Sequence, residues 1–171
     1  MVDTGVKIQS LVNESGMTDI KIKTFMKYFS IYELTRSDIA IKYEINNTPN
    51  EEVKKNLEKL VDEALDPIRE KWGHPIRVNS GYRSPALNAK LKNASKTSAH
   101  MRGLAADLNA GSQKANRELY KMIKSMVQHK ELVLDQCINE CRGGSAWQWI
   151  HIGLRDNKKD YRNQFFSLAN F

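Results

Sequence analysis

The sequence predicts an α+β domain built on a mainly antiparallel sheet, and three observations predict it. Short strand-like segments (75–82, 104–110, 132–138 and 147–154) succeed one another without regular helical crossovers. Two longer segments instead carry apolar residues at helical spacing, 53–72 and 115–126. The apolar fraction (40%) and charged fraction (27%) of the 171 residues are those of a soluble globular protein, enough chain for one hydrophobic core.

In chain order, residues 1–28 read as a lysine-rich, weakly patterned N-terminal extension, 29–155 as the domain, and 156–171 as a C-terminal tail. Thr48-Pro49-Asn50-Glu51 reads as a capping box with proline at the first helical position. Val53, Leu57, Leu60, Val61, Ala64, Leu65, Ile68 and Trp72 then form a core-facing stripe, which Pro67 should kink or restart. PIRVNSGY (75–82) is a short strand leaving through a glycine, and Ser84-Pro85 caps a small helix ending near Leu91. After the polar loop 92–100 comes the strand LAADLNA (104–110), and Ser112 opens an amphipathic helix ending near His129. The strands LVLDQCI (132–138) and WQWIHIGL (147–154) are joined by a CRGGSA turn.

Twenty-seven basic against twenty acidic residues give a net charge of +7, which favours polyanionic partners in general. KIKTFMK (21–27) and RDNKKDYR (155–162) are the densest basic stretches, and no helix-turn-helix or zinc-finger spacing accompanies them, so no nucleic acid is expected. The start of the chain has no basic and apolar signal pattern; synthesis in the cytoplasm is expected, with release to the cell wall by another agent if the protein acts there. No apolar run reaches the roughly 20 residues of a membrane span, and a monomer is expected. On one strand, Cys137 and Cys141 would lie ~13 Å apart, beyond disulfide reach, and they read as free thiols.

Strand alternation then picks out a chemical face. In 147–154, Ile150, Ile152 and Leu154 share one face, while Trp147, Trp149 and His151 share the other. In 104–110, Asp107 and Asn109 oppose Ala106, Leu108 and Ala110. His100 stands on the loop entering that strand, so two imidazoles and a carboxylate can converge, with Gly103 permitting a sharp turn and the small residues leaving room for an ion. Three N/O ligands with a fourth position open is the arrangement of a catalytic zinc. A lone His–Asp pair at this spacing, by contrast, carries little weight.

Further motifs add to that pair. Ser98, His100, Gly103, Ala105 and Asp107 realise S-x-H-x-x-G-x-A-x-D, which resembles the zinc D-alanyl-D-alanine carboxypeptidase family, whose fold is shared by the hedgehog signalling domain. SGYRSPALN (80–88) is similar to that family's upstream block, W-I-H-I (149–152) to its third-ligand strand, and FSIYELTRSD (29–38) to the start of a phage-type branch. The resemblance covers roughly Phe29 to Leu154 and implies a hedgehog/DD-peptidase-like fold, with helices packed on one side of the sheet and a zinc cleft.

Carried over by position, the resemblance implies one Zn2+ held by His100, Asp107 and His151, with Arg83 facing negative charge on the substrate and Ser98 orienting the peptide. Members commonly carry Glu three residues before the last histidine; here that position is Gln148. D-Q-C-I-N-E resembles the hedgehog-type arrangement instead, which points to Glu140 as general base. The implied reaction is amide hydrolysis, in which Glu140 takes a proton from zinc-acidified water and Arg83 offsets charge developing on the carbonyl. Asp135 is read as orienting a ligand histidine or as a solvated strand-end acid, and Trp147 and Trp149 as a substrate wall or as packing under a loop. His74 and His129 read as turn and capping residues. The expected function is a zinc peptidase cutting peptidoglycan stem peptides, at D-Ala-D-Ala or an L-Ala-D-Glu-type bond; the alternative is an inactive zinc-binding recognition module.

Overall fold

Alternation and capping in the sequence build the computed structural model, which describes residues 6–12, 18–24, 26–92, 94–142 and 145–169. The first elements differ from expectation. Residues read as a weakly patterned extension form an antiparallel hairpin of β1 (Val6–Val12) and β2 (Thr18–Thr24). The lysines that disguised the pattern alternate with isoleucines in TDIKIKT, which is the period of a strand.

Two short helices follow, α1 (Ile31–Thr35), opened by a Ser30–Glu33 capping box, and α2 (Asp38–Lys42). Helix α3 (Glu51–Leu60) is capped by Asn50, whose side chain accepts from the Val53 N–H at 2.9 Å. The cap expected at Thr48 falls elsewhere because the Thr48 N–H closes a turn onto the Asn46 side chain, and Pro49 precedes the helix. Pro67 restarts the helix as expected: a wide π turn (Val61–Leu65) leads into α4 (Asp66–Trp72). The Asp66 carboxylate accepts from the Lys27 and Tyr28 N–H groups, and Met26 is buried, so the packed unit reaches upstream of Phe29.

β3 (Arg77–Ser80), α5 (Pro85–Lys90, capped by Ser84), β4 (Ala105–Asn109) and α6 (Gln113–Gln128, capped by Ser112) come next. β5 (Gln136–Arg142), β6 (Ser145–Gly153) and β7 (Gln164–Ala169) complete a five-stranded sheet of order β3-β4-β6-β5-β7, antiparallel except between β5 and β7. The segment read as a C-terminal tail thus contributes an edge strand. The strand expected at 132–138 begins only at Gln136, because Leu134 and Asp135 bond to Asn163, Gly153 and Gln164 at the strand's entrance. No helix among the described residues is long and apolar enough to cross a membrane.

One sheet face forms the core. Ala106 and Leu108 of β4, Ile150 and Ile152 of β6 and Cys137 of β5 are fully buried against Leu57, Leu60, Leu65 and Ile68 of the α3–α4 run and Leu119 and Ile123 of α6. Each buried leucine or isoleucine contributes about 1.5–3 kcal/mol by leaving water. Parity therefore holds for β4 and most of β6, but not for Trp147. Its φ of +62° and a bulge between Ser145 and Trp149 turn it toward α6, where its ring meets Tyr120 at 5.3 Å. Trp147 thus lies away from the face of His151 and forms no wall there.

The β3–α5 loop is pressed against α1. Tyr82 N–H donates to the Leu34 carbonyl at 2.6 Å, and a Cβ on Gly81 would lie 2.3 Å from that same oxygen. Gly81→Ala is expected to lower the free energy of urea unfolding by about 1–3 kcal/mol; an unchanged midpoint would show that this close approach is not a constraint.

Candidate metal centre

Register assembles the site on the other face. Asp107 at the middle of β4 pairs with Ser80 on β3 and with His151 on β6, so one rung across three strands carries all three side chains. His100 comes from the 3-10 turn Ala99–Arg102 that precedes β4. Gly103 ends this turn at φ +70°, and a Cβ there would lie 2.8 Å from the Val53 carbonyl of α3. The glycine is therefore demanded by the nearby helix, and Ala106 by the core, rather than by room for an ion; of the small residues here only Ala105 shares the face of Asp107.

The donor atoms form a nearly regular triangle. His151 Nδ1 is 2.9 Å from Asp107 Oδ1, His100 Nε2 is 3.4 Å from that oxygen, and the two ring nitrogens are 3.3 Å apart. A tetrahedral ion with ligands at about 2.0–2.1 Å places any two of them roughly 3.3–3.4 Å apart. The set thus fits a zinc ion with three protein ligands, and the chemistry of two imidazoles and a carboxylate suits it. His100 Nδ1 lies 2.6 Å from the Gly81 carbonyl, to which it donates, which leaves Nε2 with a lone pair for a metal.

Arg83 completes the cluster. Its Nη2 donates to Asp107 Oδ2 at 2.8 Å and lies 3.3 Å from His100 Nε2, while Nε donates to Ser80 Oγ at 2.9 Å. Burial pushes the His100 imidazole below its usual proton affinity, so it stays neutral, as a ligand must. Burial pushes the Asp107 carboxyl up, but the contacts with His100 and then His151 outweigh it, and the group stays ionised.

The other expected residues divide. Ser98 and His151 line one cleft of about 550 Å³. Glu140 and Trp149 are register partners on β5 and β6, two residues along the strands from the Ile138–His151 pair and so on the same face. Asp135 is a correction: its buried carboxylate accepts from Arg155 at 2.8 Å and from Arg162 at 2.8 and 2.7 Å, and orients neither histidine. Asp135 precedes the strand, so alternation gave no guide to its direction. His129 caps α6 through the Ser125 carbonyl, as expected, and His74 lies edge-on to Trp72. Both cysteines are free, as expected, and both lie on β5.

Sequence reasoning missed the Gly81 carbonyl, which no side-chain pattern reveals. It also missed Asn47, whose side chain bonds the Thr35 and Tyr82 carbonyls and the Ser84 N–H and so fixes the loop bearing Arg83. Arg155 and Arg162 stood at the ends of a noted basic stretch, but were read there only as diffuse charge.

A family model described as Peptidase M15 matches residues 27–141, about two thirds of the chain. The chain belongs to this family of zinc-dependent peptidases. The match includes Arg83, His100, Asp107 and Glu140; His151 lies beyond it and joins the site through the geometry above. No curated protein matches the chain.

His100→Ala, Asp107→Ala and His151→Ala are each expected to weaken zinc binding by more than about 100-fold in chelator competition, beyond the 10–100-fold typical of losing an outer partner. Asp135→Asn is expected to leave the affinity unchanged. Near-normal zinc binding by any of the first three would remove that residue from the site.

Proposed function

We propose that this chain is a zinc peptidase that hydrolyses an amide bond in peptidoglycan stem peptides, either as a D-Ala-D-Ala carboxypeptidase or as an L-Ala-D-Glu-type endopeptidase. The observation that carries the reading is the triangle of His100 Nε2, Asp107 Oδ1 and His151 Nδ1, spaced as a tetrahedral metal requires and lying beside a cleft. Zinc, when bound there, supplies a Lewis acid for an amide carbonyl and acidifies water.

The chain's own groups do the rest. Glu140 stands on the metal-facing side of β5 and takes the proton released from water, then returns it to the leaving amine. Arg83, held by Ser80 and Asp107, faces charge developing on the substrate oxygen. Ser98 on the cleft wall orients the peptide backbone, and Trp149 gives it an apolar flank. Gln148, at the position where relatives commonly carry the acid, cannot accept a proton usefully. It also falls in the bulged part of β6, where its carbonyl accepts from Asn116.

Mass spectrometry of stem-peptide products tests this. Glu140→Gln is expected to keep one zinc per chain and to lose at least about 100-fold in kcat. Full activity in that variant would contradict the role of Glu140. A wild-type protein that holds zinc and releases no product from any stem peptide would favour the recognition module.

A further inference from the structure

We infer that Arg155 is a specificity residue whose guanidinium receives a carboxylate of the peptide substrate in the cleft beside His151. The inference rests on the peptidase reading above.

Arg155 leaves β6 four residues after His151. The Leu154 N–H is tied back to the Leu104 carbonyl at 2.8 Å, and Lys59 Nζ binds the carbonyls of Arg155 and Asp156 at 3.0 and 2.9 Å. The backbone under Arg155 is therefore fixed from both sides. Its Nε donates to Asp135, which tethers the guanidinium as well. Among the described residues, neither terminal nitrogen of Arg155 has a hydrogen-bond partner, and the side chain is 41% exposed on the cleft wall.

Asp135 explains why this arginine is poised rather than neutralised. Its carboxylate is 7% exposed, and Arg162 already takes both of its oxygens in a two-pronged contact. One buried negative charge thus serves two guanidiniums, and the surplus positive charge and free N–H donors fall to Arg155. Burial pushes the Asp135 carboxyl up, but Arg162 and then Arg155 more than offset this, so the anchor stays ionised. Formal charge over the whole cleft balances, with Arg102 paired to Asp156 and Asp160 also on the wall. Selectivity therefore comes from where the free donors stand rather than from net charge. A planar fork whose terminal edge, formed by its two Nη groups, is vacant matches a carboxylate, and little ordering remains to be done on binding.

A stem peptide with lysine at its third position offers two such carboxylates, its C-terminus and the α-carboxylate of its D-glutamate. Three pentapeptides separate them: one with both groups free, one with the C-terminus amidated, and one with the D-glutamate carboxylate amidated. Binding of each is measured by calorimetry on the zinc-loaded Glu140→Gln protein, carrying Arg155 or the further change Arg155→Gln or Arg155→Lys. Hydrolysis is followed in parallel with Glu140 intact.

Arg155→Gln is expected to weaken binding of the fully free peptide by about 10–100-fold. It should have no effect on the one amide that removes the partner of Arg155, and Arg155→Lys should recover part of the loss. Which amide is insensitive identifies the carboxylate. Equal weakening of all three peptides, no weakening, or no binding of any of them overturns the inference. Selective weakening without hydrolysis by the Glu140 protein would leave Arg155 in place and sink the peptidase reading; hydrolysis without selective weakening would do the reverse.

Discussion

Everything at this site is arranged around one buried carboxylate. Asp107 sits mid-strand in the sheet with its side chain 8% exposed, where an unpaired charge would cost several kcal/mol. The fold meets that cost from three directions: His151 across the β4–β6 rung, Arg83 from the loop after β3, and His100 from the turn before β4. Arg83 is itself held by the Ser80 side chain, and His100 by backbone. The Gly81 carbonyl fixes the ring of His100, and the loop carrying Gly81 is fixed by the Leu34 carbonyl of α1. The position of α1 is therefore linked to the metal site through two backbone carbonyls, those of Leu34 and Gly81.

The same arrangement divides the labour between the sheet's faces. The face bearing Ala106, Leu108, Ile150 and Ile152 is closed by helices and supplies stability. The opposite face carries the titratable groups, and Asp135 with its two arginines lines the cleft that opens from His151. Two of the cleft's cations stand on one anion. This is a structural device at Arg162, which fastens the start of β7, and a chemical one at Arg155, which keeps free donors.

Much of this was legible in the sequence where a period of two ran unbroken. LAADLNA and the second half of WQWIHIGL placed Asp107 and His151 on the face away from the core, and motif spacing added His100 and Arg83. Legibility ended where the backbone leaves regular geometry. Trp147 was assigned to the wrong face because a positive φ and a bulge cannot be read from residue types that tolerate them poorly. Asp135 was misdirected because it precedes the strand. β7 was missed because a parallel edge strand comes without the tight turn that announces a hairpin, and the hairpin of β1 and β2 because its lysines masked the alternation. The smallness around Gly103 was legible, but its cause was a helix backbone that no local pattern reveals.

The account stands or falls on the coordination of a zinc ion by two imidazoles and one carboxylate. X-ray absorption at the zinc edge of the loaded protein measures that directly. The account predicts a four-coordinate shell of nitrogen and oxygen alone at about 2.0–2.1 Å, with the scattering signature of two imidazoles. A sulfur shell at about 2.3 Å would place the metal on a cysteine instead. A shell without imidazole scattering would likewise contradict the site at His100, Asp107 and His151.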